Sequence, residues 1–207
     1  MTTVLDLKTD LKHLYLPKAK QPVLVDVPRM RFLAIEGAGP PGGDVFQEAM
    51  QALFTLAYSV RFAAKKRLDL DYPVMAPEGL YWDADGGSLT PGTPPEKMAW
   101  RLQIMLPDAV PDAFIEEVRA DAAAKGKGGS LLARVQGRWF DEGLSVQVIH
   151  VGPYATEPAT IERMTEFARE QGHRVTGTHH EIYIGDPRRS APEKLKTTLR
   201  LGVEPEA

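Results

Sequence analysis

A largely apolar run at residues 30–36 predicts a strand, and a Gly-Pro turn at Gly39-Pro40 separates it from a change of period. Val45, Phe46, Ala49, Met50, Leu53, Ala57, Val60 and Ala64 then recur at helical spacing. Asp44 with Gln47 three residues on resembles a capping box, and Lys65, Lys66 and Arg67 suit a helix C-terminus near residue 66. Strands follow at 78–83 and 98–106, joined by a Gly- and Pro-rich loop at 85–95. The second half of the chain repeats the order. Strands over 134–151 lead to Gly152-Pro153, and a helix follows with Thr156 as cap and Pro158 in its first turn. Ile161, Met164, Phe167 and Ala168 form its buried stripe and Gly172 ends it. The last strands are 176–184 and 195–203, with a turn at 186–192.

The pattern is βαββ written twice. Tyr81 and Tyr183 occupy matching places, and Glu181 stands where the first copy has Gly79. The expected fold is α+β: a tandem βαββ repeat with pseudo-two-fold symmetry, an antiparallel sheet with helices on one face, and a ligand cleft between the halves. One domain spans 1–207, divided into a lead-in at 1–27 with a short helix near 5–15, a first module at 28–107, a linker helix (111–124) and loop within 108–133, and a second module at 134–204.

Composition narrows the function. At 207 residues, 43% hydrophobic and 26% charged, the chain suits an ordinary globular protein. A net charge of -3 argues against direct nucleic-acid binding, and the lead-in is too short for a helix-turn-helix module. The absence of cysteine removes disulfides and thiolate metal sites. Residues 1–10 are polar and do not read as a secretory leader, and the longest apolar stretch, 52–64, carries Thr55, Ser59 and Arg61, so no membrane span is expected. The default compartment is the cytoplasm.

Alternation in 180–184 puts Ile182 and Ile184 toward the helices, and Glu181, Tyr183 and His179 on the opposite face. In the first copy, Leu80 and Trp82 take the core side and Tyr81 faces away, with Trp100 on the neighbouring strand. Aromatic walls around one carboxylate suit a hydrophobic or cationic aromatic small molecule; a solvated acid on an open sheet is the bland alternative. Gly37, Gly39 and Gly42 match a dinucleotide-binding pattern, but Pro40 and Pro41 lack the N–H groups it requires, and the stretch reads as a turn, leaving no cofactor motif. His179-His180-Glu181 is no metal site, because neighbouring strand residues point to opposite faces. His150 lies in an apolar strand and reads as a packed core histidine, and no nucleophilic triad stands out.

The runs 179–198, 141–154 and Glu78-Gly-Leu-Tyr-Trp82, with Leu14-Tyr-Leu-Pro-Lys18 in the lead-in, resemble the stand-alone branch of the GyrI-like small-molecule-binding domains over nearly the whole chain. The resemblance implies a ligand cleft between two βαββ halves. It further implies that Glu181 meets cationic ligands or, in relatives that hydrolyse cyclopropane-bearing DNA-alkylating compounds, activates water while Tyr183 donates or positions a proton. Tyr81 and Trp100 would be stacking walls, with Trp82, Tyr58 and Tyr154 as further ligand contacts. A non-catalytic binder or sensor, and a partner of gyrase or of a separate regulator, are the other functions such a chain admits.

Overall fold

A computed structural model describes residues 2–17, 21–89, 93–176 and 178–206. Lys18 of the lead-in motif and residues 90–92 of the expected Gly/Pro loop lie outside the described residues. The chain begins with β1 (Thr3–Val4), α1 (Leu7–Asp10) and α2 (Lys12–Tyr15), then β2 (Val23–Val27) and β3 (Met30–Ala38). The long helix α3 (Asp44–Arg67) leads to β4 (Leu70–Asp71), β5 (Pro77–Asp83), β6 (Met98–Met105) and α4 (Asp112–Ala124). The second half holds β7 (Gln136–Phe140), β8 (Gly143–Val151), α5 (Glu157–Glu170), β9 (His173–Val175), β10 (His179–Tyr183) and β11 (Lys196–Pro205). The expected helix at 5–15 is thus two short turns that meet at Leu11.

Among the described residues, nine strands form one antiparallel sheet in the order β2-β8-β11-β10-β5-β6-β3-β7, with β9 paired to one end of β11. Read outward from the β5/β10 junction, both halves give the same sequence of strands: second, third, first. Counterparts of the repeat meet at that junction. Gly79 pairs with Glu181, the Tyr81 and Tyr183 hydroxyls touch, and His180 Nε2 lies 3.0 Å from Glu78 Oε2. Equivalent residues of a duplicated unit touch one another only beside the axis that relates them, so the register locates the junction as the centre of the repeat.

The outer strands close the sheet. Only Pro28 and Arg29 separate β2 from β3, and only Asp141 and Glu142 separate β7 from β8. Val27 faces Gly143 and Met30 faces Phe140, so no residue is gained or lost across the bend. Residues 23–34 and 136–147 are therefore one bent antiparallel pair. Its two halves lie at opposite ends of the strand order and draw those ends together, which limits the exposed strand edge.

Helix α3 buries Phe46, Ala49, Leu53, Leu56, Ala57, Val60 and Ala64 against the sheet, and α5 buries Met164 and Ala168. A Leu or Val buried this way contributes about 1.5–3 kcal/mol. Both helices start differently from expectation. Gly43 holds the cap position of α3 with Asp44 already inside the helix, so the capping box does not form. Thr156 stands at the cap of α5, but its hydroxyl binds Pro153 O (2.7 Å) and His150 (3.2 Å) instead of the helix.

The sheet face turned away from α3 and α5, which carries His180 and Glu78, is filled. Leu14 and Tyr15 from α2 plug it, over a buried polar network. Arg200, 1% exposed, donates to Glu142, Gln147 and the Leu14 carbonyl. His180 bridges Glu142 (2.8 Å) and Glu78, and Glu78 also accepts from Gln103 and Tyr15. Burial alone would lower the His180 imidazole, but Glu142 and Glu78 overrule it and carry its pKa to about 9. Burial would raise the Glu142 carboxyl, yet the charges of His180 and Arg200 bring it down to about 2.

A carboxyl depressed in the folded state gives stability that is whole above its unfolded value, about 4.3, and vanishes as the pH falls toward 2. Melting temperature measured against pH should therefore drop along that acid limb, and Glu142→Gln should make the drop shallower. Arg200→Ala leaves the Glu142 charge buried without this guanidinium; it should cost about 3–5 kcal/mol in urea denaturation.

Candidate functional site

Strand parity holds at the junction, but the face is the reverse of the one expected. His179, Glu181 and Tyr183 of β10 and Tyr81 of β5 point toward the long helices, into a cleft between α3 and α5. His180, Leu80 and Trp82 point to the plugged side. The cleft encloses about 2470 Å³. Pockets that take drug-sized ligands measure roughly 300–1,000 Å³, so there is room for a multi-ring compound.

Glu181 lies on the floor opposite Gly79, where the absent side chain leaves room for the phenols. A Cβ at Gly79 would come within 2.7 Å of the Tyr81 hydroxyl and 2.9 Å of the Tyr183 hydroxyl. His179 Nε2 is 2.8 Å from Glu181 Oε1, and the imidazole lies 6.1 Å from the Tyr81 ring. Tyr154 meets Tyr183 edge-on at 6.1 Å and 88°. Burial, reinforced by the Glu181 charge, pushes the Tyr81 and Tyr183 phenols well above the ordinary tyrosine range, and raises Tyr154 to about 12. At neutral pH all three keep their protons and act as hydrogen-bond donors.

Glu157 completes the cluster. It opens α5, is 4% exposed, and places Oε2 4.0 Å from His179 Nε2. Burial, then the charge of Glu181 and the hydrogen-bond contact with it, raises the Glu157 carboxyl to about 9, with Thr197 pulling the other way. His150 sets this helix start in place. It is buried at 6% exposure, as a packed histidine should be, and its ring contacts Thr160 Oγ1 at 2.9 Å, Thr156 at 3.2 Å and Pro153 O at 3.3 Å.

The other aromatic candidates separate. Tyr58 lies on the α3 wall of the cleft and is 47% exposed; it stacks between Phe54 and Phe62 at 6.3 Å from each. Trp100 is 1% exposed and offers no open ring face. It lies under Gly37, donates to Gly39 O, and meets Phe46 edge-on at 5.3 Å, so it backs a wall residue without being one. Trp82 sits across the sheet beside Leu80, Arg101 and Phe140, away from the cleft. Sequence reasoning missed Glu157, although a signal was present: each Gly-Pro turn is followed, five residues after its glycine, by an acid, Asp44 or Glu157, and both line the cleft.

Three solved structures from Listeria innocua resemble the whole chain. An uncharacterised conserved protein is 36% identical with a TM-score of 0.88, covering 97% of this chain and 100% of its own. A protein named a hydrolase is 35% identical with a TM-score of 0.85 and the same coverage. Another structure of a hydrolase is 33% identical with a TM-score of 0.87, covering 98% of this chain and 100% of its own. No curated protein sequence matches the chain. The description GyrI-like small molecule binding domain matches residues 20–204, nearly the full length, and the chain belongs to that family.

Proposed function

We propose that the protein binds a flat hydrophobic or cationic aromatic compound in the cleft and hydrolyses a strained electrophilic ring on it, a cyclopropane conjugated to a dienone as in DNA-alkylating compounds, thereby detoxifying it. The observation that carries this reading is the placement of the Glu181 carboxylate beside the Tyr81–Tyr183 pair in one roomy cleft. Two similar chains named hydrolases support it.

The chemistry balances without a cofactor. Glu181 orients a water and takes its proton as oxygen attacks a cyclopropane carbon. The ring C–C bond breaks, and its electron pair passes to the dienone oxygen, which becomes a phenol by accepting a proton. A tyrosine hydroxyl stabilises that oxygen as its charge grows. The product is the substrate plus one water.

Incubation with a cyclopropane-bearing alkylator should give that product by mass spectrometry. Glu181→Gln should lower turnover by about 100- to 10,000-fold. Recovery of intact compound bound in the cleft would rule out hydrolysis and leave a binder. Gly79→Ala should drive the paired phenols apart, at about 1–3 kcal/mol of stability, and weaken the uptake of a cationic aromatic dye followed by fluorescence while Glu181 remains. Unchanged dye binding by that variant would remove the phenol pair from ligand recognition.

A further inference from the structure

We infer that Glu157, His179 and Glu181 form a binding site for one divalent transition-metal ion of borderline softness, such as zinc or cobalt. The site goes beyond small-molecule binding and requires no organic ligand. His179 and Glu181 stand two residues apart on one face of β10, and Glu157 faces them from the first residue of α5. One ligand atom from each lies within 4.8 Å of the others, with His179 Nε2 at 2.8 Å from Glu181 and 4.0 Å from Glu157. Donors around an ion at about 2.1 Å stand roughly 3 to 3.5 Å apart. The observed spacings bracket that value, and small carboxylate rotations would meet it.

A second observation points to a cation independently of this clustering. Glu157 Oε1 is buried and accepts no hydrogen bond among the described residues, although the side chain is only 6% exposed. Neither acid forms an ion pair with a lysine or arginine among the described residues, and the cleft-lining Arg188 and Arg189 pair with Asp186. Two carboxyls and an orphaned lone pair therefore share a largely buried corner of the cleft, with the His179 imidazole as their basic neighbour among the described residues. Oxygen and imidazole donors together suit a first-row divalent ion better than calcium or magnesium. Three protein ligands leave positions for water on the side open to the cleft.

The test uses the full chain, stripped with a chelator and then titrated with zinc or cobalt in the absence of any organic compound. Calorimetry and elemental analysis should give one ion per chain, and cobalt should develop a visible absorption band. Glu157→Gln and His179→Asn should each weaken binding by roughly tenfold or more, while His13→Gln, on an exposed histidine outside the site, should leave it unchanged. Circular dichroism identifies a variant that fails to fold, in which case Glu181→Gln replaces it. Stoichiometry far below one, or affinity indifferent to the cluster variants, would overturn the site. That result would not touch organic-ligand binding, which the dye and mass measurements test separately.

Discussion

The β5/β10 junction governs the molecule. Pairing Gly79 with Glu181 brings the same position of two similar halves face to face, so whatever differs between them is concentrated at one point. One half supplies an acid and the other supplies no side chain at all. On the helix-bearing side this yields a carboxylate with two phenols closing over a glycine. On the opposite side it yields the Glu78–His180 contact and a polar core. Chemistry and cohesion are thus back to back on the same two strands.

The polar core explains why the cleft-facing side chains are held firmly. A buried charge network specifies geometry more than it adds net stability, since desolvation offsets much of the Coulombic gain. Here it ties α2, β5, β10, β11 and the turn between β7 and β8 together through Tyr15, Glu78, His180, Arg200 and Glu142. His179 and Glu181 flank His180 in sequence, so anchoring that imidazole beneath the sheet fixes the orientation of its neighbours above it.

Much of this was legible in the chain. The twin Gly-Pro turns, the matched tyrosines and the helical periodicity give the tandem βαββ fold, because period and turn chemistry are local. Which face of the central strands meets the helices is not local. Parity correctly grouped Glu181, Tyr183 and Tyr81, but apolar Ile182 and Leu80 suggested the wrong neighbour, since the inner face takes isoleucine and leucine alongside glutamate and arginine. Thr156 holds the cap position expected of it, but its hydroxyl has a better tertiary partner in His150 than in its own helix. Trp100 reads as a ligand wall from its place on the strand beside Tyr81, yet Gly37 lets it lie beneath the backbone, which only coordinates reveal. Glu157 was overlooked because an acid at the first turn of a helix is ordinarily explained by the macrodipole.

The bent outer pair has a consequence for how the chain is made. The strand that introduces the first half finds its partner in β8 of the second, so its hydrogen bonds wait until more than half of the polypeptide has emerged from the ribosome. Contacts so distant in sequence slow folding, and they interlock the halves like clasped hands.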